Sequence, residues 1–382
     1  VLGVRDPRWA EARIPADQSQ LGAVIHGGKD LHEFARAFGF RWKRLMFETM
    51  WNWNSPAEGE YHFDPEMVRW ERSIGIEGLG NFVYSPGWAV DATDAERQRV
   101  ASERKHVHDL FSNRPPHLDA FRQYVREAAT TFKDDVQFWE LWNEPNGPLF
   151  WKGTPEQYAE LLRISREVLA EVNPTAKLVA PAQGGGPEVS PWSQAVIDAG
   201  GLKDIDIWST HSYVDSPTFD AEQMHRRIQK LKATLAASGR PDMPIWWTEG
   251  GMGGTTSMFR DGEFAGWPDP AQRPQLDPRK AFTFPKLFTV QRAEGVQRHF
   301  FYFIKPNAAN YASYVSSEPT GAARFPLFAI GAWSRFIDGG TFAERLTQSG
   351  LGFAYLFDRP DAAAAMIWAD LPDNETADLP VS

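Results

Sequence analysis

Eight short apolar runs recur along the chain, with amphipathic stretches between them. This alternation constrains the fold more than any other feature. The runs cover residues 22–25, 41–49, 80–84, 136–142, 178–180, 205–210, 244–248 and 296–304. Helical segments separate them, at 30–38, 65–74, 117–132, 221–237 and 279–293. A further helix follows the fourth run. Thr154-Pro155-Glu156-Gln157 reads as a capping box with proline at the first helical position. Tyr158, Leu161, Leu162, Ser165, Val168, Leu169 and Val172 then fall at helical spacing, and Asn173-Pro174 ends the helix. Strand–helix alternation implies a parallel sheet with helices outside. Eight repeats predict a (β/α)8 TIM barrel of the α/β class, because such barrels span about 200 to over 400 residues. An open doubly wound sheet is the competing architecture. It normally carries a glycine-rich phosphate turn after its first strand. His26-Gly27-Gly28 lacks that spacing, and Gly184-Gly185-Gly186 has no Lys-Ser or Lys-Thr after it.

The domain division expected is a catalytic barrel over 1–340 and a β-strand appendage over 341–382. Residues 353–357 and 364–368 read as two strands around a turn at 358–361. An isolated hairpin is marginal in water. It is therefore expected to pack on the barrel, to form part of a small β-sandwich completed by N-terminal residues, or to be the stump of a longer domain. Two stretches, 88–116 and 250–278, are long for loops and would lie on the C-terminal face, where active sites of this fold sit. Trp88, Phe259, Phe264 and Trp267 suit them as cleft walls.

Composition narrows the function. The 382 residues include no cysteine, which excludes disulfides, thiolate metal sites and cysteine nucleophiles. A net charge of −10 argues against nucleic acid or an anionic membrane as partner. No apolar run is long enough to span a bilayer. The opening Val1 to Asp6 is not a signal peptide. A secreted or periplasmic location is somewhat favoured over the cytoplasm, and no oligomeric state follows. Sixteen tryptophans leave two readings open, stacking on sugar rings or filling a large core.

Two runs end in glutamate. The fourth reads Trp139-Glu140-Leu141-Trp142-Asn143-Glu144-Pro145-Asn146, and the seventh Trp246-Trp247-Thr248-Glu249-Gly250. Strand alternation puts Glu140, Trp142 and Glu144 on one face. A carboxyl ending an apolar strand against tryptophan is desolvated, as a general acid requires. Glutamates at the C-terminal ends of two barrel strands can face each other across the mouth, the pairing a retaining glycosidase needs. Glu140 falls one layer down and reads as a structural carboxylate.

Trp142-Asn143-Glu144-Pro145-Asn146 resembles the acid/base motif of glycoside hydrolase clan A, and Thr248-Glu249 resembles that clan's nucleophile strand. The chain looks most like family 39, with families 5 and 51 as near alternatives. The resemblance implies a retaining O-glycosidase acting on an oligo- or polysaccharide, without a cofactor. It implies Glu144 as acid/base and Glu249 as nucleophile. Asn143 would bind the sugar 2-hydroxyl, and Arg44 would hold Glu249 ionised. In His211-Ser212-Tyr213, Tyr213 would donate to the nucleophile and His211 would contact the sugar. His26, ending the first run, is either a sugar contact or a structural residue. The clan's strand-eight tryptophan is missing from residues 300–305, so Tyr302, Phe303 or Trp267 would have to floor the sugar site. Two other readings compete. One is a non-catalytic carbohydrate-binding barrel. The other is a metal-dependent barrel built on His106, His108 and Asp109, residues that read better as a solvated loop.

Overall fold

The computed structural model describes residues 14–102, 111–214, 220–252, 259–260, 263–264, 273–302, 304, 323, 325–348, 352–360 and 362–368. Eight parallel strands close into a barrel: β1 (Leu21–Ala23), β2 (Trp42–Leu45), β3 (Glu77–Phe82), β4 (Phe138–Leu141), β5 (Lys177–Gln183), β6 (Ile207–Val214), β7 (Ile245–Met252) and β8 (Val296–Phe301). Each pairs with its sequence neighbours, and β1 closes on β8. The helices that return the chain are α1 (Lys29–Ala37), α2 (Glu66–Ser73), α3 (Leu118–Thr131), α4 (Pro155–Val172), α5 (Pro191–Asp198), α6 (Ala221–Ala237), α7 (Arg273–Ala293) and α8 (Phe325–Phe336). The TIM barrel expected from the alternation is the observed fold.

Local sequence explains the helix starts. Thr154 and Gln157 form the reciprocal capping box at α4, with Pro155 opening the helix. Ser190 accepts from the Ser193 amide at α5, and Asp220 from the Gln223 amide at α6. Several boundaries differ from expectation, and β6 and β7 run on past the expected ends to Val214 and Met252. The second run stops being a strand at Leu45, and two one-turn helices, Met46–Thr49 and Trp51–Asn54, follow it. Helix α7 begins six residues earlier than residue 279.

Strand alternation sorts side chains into an inner and an outer set. Inside the barrel, Trp42, Leu79, Val179, Ile207, Trp246 and Phe300 form an apolar layer. Gly22 makes room for it, since a Cβ there would sit 2.6 Å from the Phe300 ring. Above that layer stand Arg44, Asn81 and Glu140, where Glu140 Oε2 accepts from both Arg44 and Asn81. Outside, Trp139 stacks on Phe82 and Trp51 on Tyr124, with ring centroids 4.5 and 4.7 Å apart. Ten of the fourteen described tryptophans are buried, so core filling accounts for most of the tryptophan content. Trp88 belongs with them more than with a cleft wall. Its edge meets Trp51 and its Nε1 donates to the Ser55 carbonyl.

The C-terminal β region has three antiparallel strands rather than two. Strand β9 (Thr341–Gln348) pairs with β10 (Gly352–Asp358), which pairs with β11 (Ala363–Trp368). Tyr355 stacks on Trp368, and Arg345 pairs with Glu222 of α6, tying the sheet to the barrel's helices. No described helix is long and apolar enough to cross a membrane. The side chains of Phe259 and Phe264, together with Trp267, Phe303, His106, His108, Asp109 and residues 1–13, lie outside what the structure describes.

Candidate active site

The barrel's upper mouth gathers six of the seven residues singled out from sequence, in two hydrogen-bonded sets that approach to 3.9 Å between His211 Nδ1 and Glu249 Oε2. Arg44 rises from β2 and is fully buried. Its Nε donates to Glu140 Oε2 at 2.8 Å, its Nη1 to Glu249 Oε2 at 2.8 Å, and its Nη2 to Asn143 Oδ1 at 3.0 Å. One guanidinium fork thus links three strand ends, the geometry a planar five-donor group supplies. Burial by itself pulls the Arg44 pKa down. Glu140 and then Glu249 outweigh it, so the shift is upward and the cation is held.

The other Glu249 oxygen is also engaged. Tyr213 donates its hydroxyl to Oε1 at 2.6 Å. Burial, followed by Glu249, pushes the Tyr213 phenol well above its ordinary range, so it stays a donor. Glu144 has different surroundings. Oε1 lies 2.9 Å from His211 Nδ1 and its side chain is 22% exposed, against 11% for Glu249. Glu249 is therefore clamped by a cation and a phenol, whereas Glu144 meets an imidazole nitrogen. His211, Glu249 and Glu144 each present an atom within 4.8 Å of the others. Such a trio could ligate a metal ion. Arg44 and Tyr213 already occupy both Glu249 oxygens, so a cation would compete with them.

The strand-face expectation for β4 needs correction. Glu140 points into the barrel, but Trp142 and Glu144 do not continue its alternation. Strand β4 ends at Leu141, and Trp142 and Glu144 have φ of 65° and 45°. Trp142 turns away and packs on Trp151, donating Nε1 to the Phe150 carbonyl at 2.7 Å. Left-handed backbone at non-glycine residues costs about 1–3 kcal/mol each and persists only where the surroundings impose it. Here the Trp142 amide donates to the Phe82 carbonyl and the Glu144 amide to the Ala182 carbonyl, both at 2.9 Å. Tyr84 and Ala182 share this conformation, so the strain clusters at the ends of β3, β4 and β5.

Three participants escaped the sequence reading. Gly184 packs under Glu144, and a Cβ there would lie 2.9 Å from the Glu144 Cδ. Asn146 pins that contact, accepting from the Gly184 amide at 2.8 Å and donating to its carbonyl at 3.0 Å. The signal was present, because Asn146 closes the motif and Gly184 follows β5. Tyr84 is fully buried, and burial raises its phenol well above the ordinary range. Arg44 opposes this, while Glu249, Glu144 and Tyr302 add to it. Its place at the end of the third run could have marked it. Tyr302 stands near both Tyr84 and Tyr213, where the missing tryptophan was expected. His26 is found instead against Phe47, ring centroids 4.8 Å apart, and burial lowers its pKa to about 4.

No family model matches the chain. Among solved structures, it is similar to a family 39 glycoside hydrolase from the gut symbiont Bacteroides cellulosilyticus WH2. That match has TM-score 0.68 and 20% identity, covering 94% of this chain and 71% of that one. It is also similar to a GH39 beta-xylosidase from Caulobacter crescentus, with TM-score 0.62 and 16% identity over 92% of this chain and 77% of that one. Xylanase 10B from Thermotoga maritima matches with TM-score 0.57 and 14% identity, covering 86% and 97%. At these identities the likeness is one of fold, and that fold is the one family 39 members have.

Proposed function

We propose that the chain is a retaining O-glycosidase, with Glu249 as nucleophile and Glu144 as acid/base. The observation that carries this reading is the carboxyl pair itself. Oxygens of Glu144 and Glu249 lie within 4.8 Å. Retaining enzymes hold the two carboxyls about 5–5.5 Å apart, and inverting enzymes about 6.5–9.5 Å. The unequal partners favour the roles. A carboxylate held by Arg44 and Tyr213 is fixed and aimed, as a nucleophile must be. A carboxyl paired with His211 can give and retake a proton.

In the first step a Glu249 oxygen bonds to the anomeric carbon. The glycosidic bond breaks, and the Glu144 proton passes to the departing oxygen. In the second step Glu144 takes a proton from water, whose oxygen bonds to the same carbon as the Glu249 ester breaks. Arginine only donates, so the Arg44 contact fixes Asn143 Oδ1 as acceptor and leaves its amide hydrogens for a sugar hydroxyl. The substrate class is an oligo- or polysaccharide, and the neighbours whose names mention xylose make β-xylosides the first probes.

Proton NMR of the first-formed anomer, from a panel of 4-nitrophenyl β-glycosides, tests the proposal. Retained configuration is expected, with turnover abolished in Glu249→Ala. Inverted product overturns the mechanism. Sugar binding without turnover of any substrate overturns the enzymatic reading in favour of a binding barrel.

A further inference from the structure

We infer that Trp53 is the platform of a second sugar subsite, so that the substrate extends at least one unit beyond the sugar whose bond is cut. The inference rests on the glycosidase reading above and names its substrate class. Among the described tryptophans Trp53 alone is exposed, at 63%. A lone exposed aromatic is ordinary on a protein surface. This one differs in what holds it and where it stands.

Trp53 lies in the second one-turn helix after β2, next to the site. Glu249 Oε2 is 2.8 Å from Arg44 Nη1, which is 3.7 Å from Met46 Sδ. Phe47 follows Met46, and its ring meets the Trp53 indole at 5.4 Å between centroids, tilted 62°. Phe47 also meets His26, and both Met46 and Phe47 pack on the Met50–Val83–Tyr84 cluster. The row His26–Phe47–Trp53 thus forms an aromatic shelf running outward from the nucleophile's own support.

The shelf is rigid. Asn54 Nδ2 donates to the carbonyls of Phe47 and Met50, both at 2.8 Å. The Trp51 and Asn52 amides donate to the carbonyls of Val83 and Tyr84 at 3.0 and 3.1 Å. Residues on both sides of Trp53 are therefore tied to the barrel, and an open indole is presented with little ordering left to lose on binding. A flat, mostly apolar surface with this preorganisation suits the C–H face of a pyranose.

Barrel order says which sugar it meets. Glu144 follows β4 and Glu249 lies on β7, so the line between them separates β5 and β6 from β8, β1, β2 and β3. His211 of β6 serves the acid/base, on the leaving-group side. Asn143 is drawn toward Arg44 of β2, on the opposite side, which is the side of the sugar that becomes bonded to Glu249. Trp53, in the β2 loop, is on that side too.

The test compares aryl glycosides with the same leaving group, 4-nitrophenyl β-xyloside against β-xylobioside and β-glucoside against β-cellobioside. The wild-type kcat/KM for the disaccharide should exceed that for the monosaccharide by about tenfold, the gain expected from covering one ring face. In Trp53→Ala that ratio should fall to about one, and in Trp53→Phe to an intermediate value, with residual monosaccharide turnover showing that the variants fold. A wild-type ratio of one or less, or a ratio that Trp53→Ala does not change, overturns the subsite and leaves the glycosidase reading standing. No turnover of any of the four overturns both.

Discussion

Arg44 Nη1 lies 2.8 Å from Glu249 Oε2 while the same guanidinium meets Glu140 one layer deeper. The cation is therefore shared between a carboxylate that faces the mouth and one sealed in the barrel. Replacing Arg44 with Met leaves both without compensation. Uncompensated buried charge of this kind typically costs about 3–5 kcal/mol, which a denaturant titration would read. Adding Glu140→Gln should restore part of that stability but none of the activity, since Glu249 still lacks its cation. Recovery of turnover in the double variant would refute a role for Arg44 at Glu249.

Tyr213→Phe removes the donor to Glu249 Oε1 and little else. A hydrogen bond to a charged group contributes about 1.5–3 kcal/mol, so kcat should fall roughly 10- to 100-fold, with the melting temperature nearly constant. Unaltered kcat would mean the phenol is packing rather than positioning.

Gly184→Ala inserts a methyl 2.9 Å from the Glu144 Cδ and 3.1 Å from each of its oxygens. Glu144 must then leave His211. Misplacing a proton donor by about an ångström can cost around 100-fold. The loss should appear with poor leaving groups, which need protonation, and shrink with 2,4-dinitrophenyl glycosides. An equal loss across leaving groups would indicate general damage to the barrel.

His299 sits behind β7, fully buried, where a Cβ on Gly250 would approach its ring to 3.1 Å. Burial lowers its pKa to about 3, against about 6.5 in the unfolded chain. The unfolded state therefore binds a proton first. Neutral His299 contributes stability that is complete above pH 6.5 and is lost as pH falls toward 3, at about 1.4 kcal/mol per unit. His26 acts in the same direction down to about pH 4. His299→Phe should flatten the loss of unfolding free energy between pH 6.5 and 4. A slope identical to wild type would show that His299 is not the group responsible.

The β/α alternation was readable because each run and each helix carries its own period, and local patterns need no partner to be seen. The strand-end glutamates were readable for the same reason, helped by a motif whose residues are contiguous. The assignment of Trp142 and Glu144 to one face failed because period two holds only while φ stays extended, and both residues leave that region. Contacts from β3 and β5 impose that change, and β4 by itself carries no trace of them.

The sequence by itself determined the fold class, the two carboxyls and their order along the chain. The tertiary structure decided their unequal partners: Arg44 and Tyr213 on Glu249, His211 and the Gly184 backbone on Glu144. It also decided that most tryptophans fill the core while Trp53 faces outward. Closing the barrel brings residues from β2, β4, β6 and β7 within hydrogen-bond reach across separations of up to 205 positions. Charge pairing and burial depend on distance in space, and a linear pattern encodes that distance only through the fold.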